Sequence, residues 1–263
     1  MNREFRGMDP TRGIWNGHVG RRFDLFARPC PELCRMLPNP LPPDELRPRR
    51  IDGRDPRGAI YFLPWGIDFG TARWLGLLGG RDWQACYRLA DAMVSPNPEV
   101  CAGCIAAIER DVIRLAARNG PPSRLVGFSL GSVPATLMAG RLGRPVWSFA
   151  SADRGELMIW SSPAAHAIRR EAERRGFRRD DFAAALHRYN PIQWIDRVAP
   201  DSRVVVGRFD RLVPRARGQA LLDRARRRIV GDHLLELPLG HVAVLAASGF
   251  LQRRWLRAEA MRR

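Results

Sequence analysis

Residues 124–140 read RLVGFSLGSVPATLMAG. Arg124 to Phe128 form a short apolar run of the kind that makes a buried strand, and from Leu130 onward the apolar residues are spaced like a helix. Between the two lies Gly127-Phe128-Ser129-Leu130-Gly131, a serine with a glycine two residues away on either side. A sharp strand-to-helix turn leaves no room for side chains on its flanks, and paired glycines supply that room. The serine at its apex is held out from the sheet. Leu130 follows it at the start of the helix, where backbone N–H groups have no intrahelical acceptor and can face a developing oxyanion.

The chain around this stretch alternates strands and helices. Ala59–Pro64 (AIYFLP) reads as a buried strand followed by the loop Trp65-Gly66-Ile67-Asp68-Phe69-Gly70. Helices are expected from about Asp82 to Met93 and over 98–118, the second capped by Asn97 with Pro98 at its first position. Strand 124–128, helix 130–142 and strand 145–151 come next. A helical insertion at about 155–197 follows, then strand 203–207, helix 214–228, strand 233–237 and helix 242–257. Near-continuous apolar strands alternating with helices predict an α/β fold, with a mostly parallel central sheet and helices on both faces. Residues 1–56 are proline-rich and read as irregular, with room for edge strands in part of the segment, as around Arg22–Ala27. Residues 57–263 form the main domain, and the insertion forms a small helical cap.

Composition limits the function classes. The net charge is +17, but the chain contains no lysine, and its 44 basic residues are arginines spread through every segment. Nucleic-acid binders cluster such charge on one face or in a tail, so a solvated basic surface is expected and no nucleic-acid partner. No run is long and apolar enough to span a membrane, and the N-terminus has no apolar signal core. A cytoplasmic location is the resulting expectation. Five cysteines without an export signal suggest free thiols. Cys30-x3-Cys34 and Cys101-x2-Cys104 have spacings that four-thiolate zinc could use. Cys101 and Cys104, however, share a helical stripe with Ile108, Val112 and Leu115, which is a core pattern. No metal site is therefore assigned.

A serine hydroxyl is a weak nucleophile and needs a base, itself oriented by a carboxylate. Asp210 lies just past strand 203–207 in GRFDRLVP, and His241 just past strand 233–237 in LPLGHVAVL. In a doubly covered parallel sheet, reactive groups gather beyond the carboxyl ends of the strands. Ser129, Asp210 and His241 all fall there. Asp153, after strand 145–151, is the competing acid. His18, His166, His187 and His233 read as structural.

From Ala59 to Leu256 the chain resembles the α/β-hydrolase superfamily. GFSLGS resembles its nucleophile elbow, GRFDRLVP its acid loop and LGH its histidine loop. LPWGID resembles its HG-x loop, with Trp65 where histidine is usual. That resemblance implies Ile67 N–H as the second oxyanion donor beside Leu130 N–H, with Gly66 letting the backbone approach the substrate. It also implies cleavage of a carboxylic ester or thioester through an acyl-enzyme, with no cofactor. Acyl transfer to another acceptor by the same intermediate, and a non-catalytic binding protein on the same fold, are the alternatives.

Trp65, Phe128 and Trp160 are the candidate substrate-binding side chains. Leu157, Met158, Ile159 and Trp160 either line an acyl pocket or pack the cap onto the sheet. Arg154, Arg208 and Arg211 stand in the same strand-end loops, where they could draw an anionic substrate carried on coenzyme A or an acidic carrier protein.

Overall fold

The apolar runs pair into one seven-stranded sheet in the computed structural model, which describes residues 46–78 and 83–261. Contacts divide the chain into Met1–Pro40, outside the described residues, and Leu41–Arg263, which holds everything below. The strands are β1 (Arg49–Asp52), β2 (Ala59–Phe62), β3 (Trp83–Arg88), β4 (Leu125–Phe128), β5 (Val146–Phe149), β6 (Arg203–Gly207) and β7 (Leu234–Leu237). Their spatial order is β1-β3-β2-β4-β5-β6-β7, with β1 antiparallel to β3 and every other pair parallel. After β2 the chain builds outward to β3, then returns to place β4 on the other side of β2. That reversal opens a crevice between the ends of β2 and β4, where ligands of such sheets bind.

The helices are α1 (Phe69–Trp74), α2 (Pro98–Asn119), α3 (Ser132–Leu142), α4 (Gly155–Ser161), α5 (His166–Arg174), α6 (Arg179–Leu186), α7 (Arg215–Ala225) and α8 (His241–Ala260). Alternate strand residues feed two cores. Ile60, Phe62, Leu125, Val146 and Val204 face the side covered by α2, α3 and α7. Tyr61, Val126, Phe128, Trp147, Phe149 and Val205 face the side covered by α1 and α8. Helix α2 starts where the sequence predicts, with the Asn97 side chain accepting from Glu99 N–H at 2.9 Å and Pro98 at the first position. Its buried stripe includes Cys101 and Cys104, whose thiols burial pushes up to about 12. Cys30 and Cys34 lie outside the described residues.

Two expectations about elements are corrected. The helix expected from about Asp82 to Met93 is absent over the described residues from Trp83 onward. Trp83–Arg88 is β3, inserted between β1 and β2, and only Asp91–Val94 coil into a 3-10 turn. Its Gln, Ala and Arg favour a helix weakly, and sheet pairing on both edges overrides so small a preference. The second is β1, four residues paired along β3 inside the segment expected to be irregular. The edge strand expected near Arg22–Ala27 lies outside the described residues.

Phe128 needs a third correction. It was expected to touch substrate, but it is fully buried. Its ring stacks between Tyr61 (centroids 6.4 Å apart) and Phe149 (5.4 Å), and Phe149 stacks on Trp255 of α8 (5.7 Å). Strand alternation forces this, because Gly127 occupies the opposite face beneath α3. Phe128→Ala is expected to cost about 3–5 kcal/mol of stability through the cavity it leaves, measured as a lowered midpoint in guanidinium unfolding.

Candidate active site

The turn after β4 is as tight as its glycines suggest. Ser129 has φ +51, a left-handed conformation that non-glycine residues seldom adopt. A Cβ on Gly127 would lie 2.6 Å from the Gly131 carbonyl and from the Ala135 Cβ, and one on Gly131 would lie 2.3 Å from the Phe62 carbonyl. The elbow therefore sits against the end of β2, and neither glycine position has space for a side chain. The chain then turns once as 3-10 helix over Ser129–Gly131 before α3 begins. Leu130 N–H lies in that first turn, ahead of the intrahelical ladder.

The loops after β6 and β7 bring two more side chains to the elbow. His241, the first residue of α8, places Nε2 2.9 Å from Ser129 Oγ and Nδ1 2.7 Å from Asp210 Oδ2. An ionised carboxylate can only accept, so Nδ1 carries the imidazole proton. Nε2 is then left to accept from the serine hydroxyl. The second Asp210 oxygen accepts from Leu212 N–H at 2.9 Å and Val213 N–H at 2.8 Å. These two donors hold the carboxylate in one orientation. Asp210 and His241 are both buried, whereas Ser129 is only half-buried.

Asp153 is also buried but points elsewhere. Its Oδ2 is 3.3 Å from Arg217 Nη1 and 3.9 Å from Arg154 Nε, and its carbonyl accepts from Ile192 N–H of the cap. Burial raises its pKa despite those two arginines. Of the two acids weighed from sequence, Asp210 is the one that meets His241.

The loop after β2 differs from expectation. Ile67 N–H, expected to be the second oxyanion donor, donates to the Pro64 carbonyl at 3.3 Å. Gly66 at φ +79 closes that tight turn and directs the N–H into it. Trp65 is half-buried and packs against the core beneath α2 and α3. Trp160 packs its ring on Phe182 of α6 (centroids 5.1 Å) and, with Ile159, joins the same core. A buried link closes the cap: Asn190 Nδ2 donates to Glu156 Oε2 at 2.8 Å while its Oδ1 accepts from Gly155 N–H. Of the three arginines near the site, Arg208 pairs with Glu236 (3.2 Å) and Arg154 approaches Asp153. Arg211 is exposed.

No protein-family model and no curated protein matches the sequence. Solved structures do match in fold. A protein of Thermus thermophilus superposes with a TM-score of 0.52 at 17% identity, covering 81% of this chain and 97% of its own. The esterase domain of a Rhodothermus marinus protein gives 0.52 at 14% identity, over 80% and 92%. The chain has the α/β-hydrolase fold. Ser129, Asp210 and His241 follow β4, β6 and β7 in that chain order, the order that a serine, an acid and a histidine take on such a sheet.

The Asp153 pairing carries a pH signature. Its proton is held more tightly folded than unfolded, so the group withdraws stability as pH rises from the ordinary value of 3.8 through the raised one. The stability of Asp153→Asn relative to the unaltered protein should therefore improve across that acid interval and level off above it. Urea titrations at a series of pH values check this.

Proposed function

We propose that the protein is a serine hydrolase acting on a carboxylic ester. The hydrogen-bonded series Ser129–His241–Asp210 carries the reading. Ser129 Oγ attacks the ester carbonyl carbon as His241 Nε2 takes its proton, and Asp210 holds the ring and stabilises the imidazolium that results. The tetrahedral oxyanion lies against Leu130 N–H at the helix start. Collapse expels the alcohol, which leaves with the proton from His241, and Ser129 remains acylated. Water then attacks the acyl carbon with His241 as base, releasing the acid and restoring the hydroxyl. No cofactor takes part in these steps. Loss of an oxyanion donor of this type costs about 10²–10³ in turnover in measured cases.

A neutral ester fits the surroundings better than a coenzyme A thioester. Two of the three arginines beside the site already face carboxylates, which leaves Arg211 as the free cation there among the described residues. The half-buried Leu157 and Met158 of α4 supply apolar side chains at the start of the cap for an acyl group.

Steady-state hydrolysis of p-nitrophenyl esters of increasing chain length tests the proposal. Ser129→Ala should lower kcat by roughly 10⁶ and Asp210→Asn by roughly 10⁴, while Asp153→Asn stays within a few-fold of the unaltered enzyme. Turnover that survives Ser129→Ala would remove the assignment, and a loss confined to Asp153→Asn would transfer the acid role.

A further inference from the structure

Helix α8 buries one side against the sheet, and its outward side is patterned. Val242, Ala243, Ala246 and Phe250 are exposed along its first half, and Arg253, Arg254 and Arg257 along its second. At 100° per residue these seven positions fall within an arc of about 120°, a single stripe. The helix is about 30 Å long at 1.5 Å per residue.

Helix α1 extends the same face. Gly249 backs onto Gly76, where a Cβ would lie 2.4 Å from the Gly76 carbonyl, and Gln252 Nε2 donates to the Leu77 carbonyl at 2.9 Å. Trp74 stands two residues before that contact and Phe250 one residue after its partner. They are 77% and 62% exposed, among the most exposed large apolar side chains described. Arg73 is exposed next to Trp74.

Between them α1 and α8 carry one acid, Glu259, which lies on the opposite side of α8 from this stripe and is engaged by Arg124 and Arg203. Residues 69–78 and 241–258 contain no aspartate or glutamate. Among the described residues, Arg73, Arg253, Arg254 and Arg257 have no carboxylate partner, in contrast to Arg124, Arg141, Arg208, Arg215 and Arg217.

We propose that this α1/α8 face is a peripheral docking surface for an anionic lipid bilayer. Large aromatic side chains flanked by arginines on an amphipathic helix suit the boundary between headgroups and acyl chains. A second copy of the chain fits poorly, because a two-fold contact would bring Arg253, Arg254 and Arg257 of both copies into one interface, and residues 69–78 and 241–258 hold no carboxylate to pair them. The consequence for access follows from chain order. Val242 is the neighbour of His241, and Phe209, 63% exposed, is the neighbour of Asp210. A bilayer seated along α8 therefore runs up to the rim of the catalytic cleft. The docking surface is independent of the hydrolase reading.

Sedimentation with phosphatidylcholine vesicles, with and without about one-third phosphatidylglycerol, tests it. The protein should partition onto the anionic vesicles and far less onto the neutral ones. The double variant Trp74→Ser/Phe250→Ser should bind about tenfold or more weakly and hydrolyse a short water-soluble ester at the unaltered rate. The triple variant Arg253→Gln/Arg254→Gln/Arg257→Gln should lose the preference for anionic vesicles. Ser129→Ala should bind as the unaltered protein does, so failure of the hydrolase reading and failure of docking are separable. Absence of binding, full binding by the double variant, or a solution dimer that the double variant abolishes would each overturn the proposal.

Discussion

One backbone residue in an unfavourable conformation organises the site. Ser129 is held at φ +51 because β4 ends against β2 and a single 3-10 turn leads into α3, with Gly127 and Gly131 pressed into contacts that admit no Cβ. Strain of this kind costs on the order of 1–3 kcal/mol and persists only where the surroundings over-determine it. Here the surroundings are the sheet itself: β2 and β4 pair in register up to Phe62 and Gly127, one residue from the turn. The stacked series Tyr61–Phe128–Phe149–Trp255 then fixes the other face of the same strand ends. Rigidity below the turn is what lets the serine hydroxyl stand in a defined place above it.

The other two members of the series depend on the sheet in the same way. β6 and β7 pair up to Gly207 and Leu237, and Arg208 and Phe209 continue the contact by donating to the Leu237 and Leu239 carbonyls. The acid and histidine loops are thus anchored to each other before either reaches Ser129. With one Asp210 oxygen committed to Leu212 and Val213, only the other is turned to His241, and the imidazole tautomer follows from that. The insertion is tied together by Asn190 and Glu156, and to the helical layer by Glu109 of α2, which binds Arg141 of α3 and Arg188 of the insertion.

Much of this was legible in the sequence where one local rule dominated. Asn97-Pro98 located the start of α2, the two glycines located the elbow, and apolar runs located β2, β4, β5 and β6. Residues that could serve as base and acid were legible because each follows a strand, yet choosing Asp210 over Asp153 needed distances across the sheet. Failures came where tertiary contacts outweighed local preference. Trp83–Arg88 looks helical in isolation and becomes a strand because two neighbours pair with it. Arg49–Asp52 has little apolar character and is a strand only as an edge on β3. Phe128 and Ile67 were misassigned for a related reason. Adjacency to a site residue does not say which way a side chain or an N–H points, and strand alternation and a tight turn decided those two.

The fold also leaves features that the proposed active site does not use, chiefly the exposed face shared by α1 and α8. Its tie to the cleft is covalent, since α8 begins at His241. The central claim is that Ser129 is the nucleophile activated by this arrangement. Peptide mapping by tandem mass spectrometry after reaction with a fluorophosphonate tests it most directly. The account predicts a single adduct on Ser129, absent when His241 is replaced by alanine. An adduct on a different residue, or an unlabelled Ser129 in the folded protein, would contradict it.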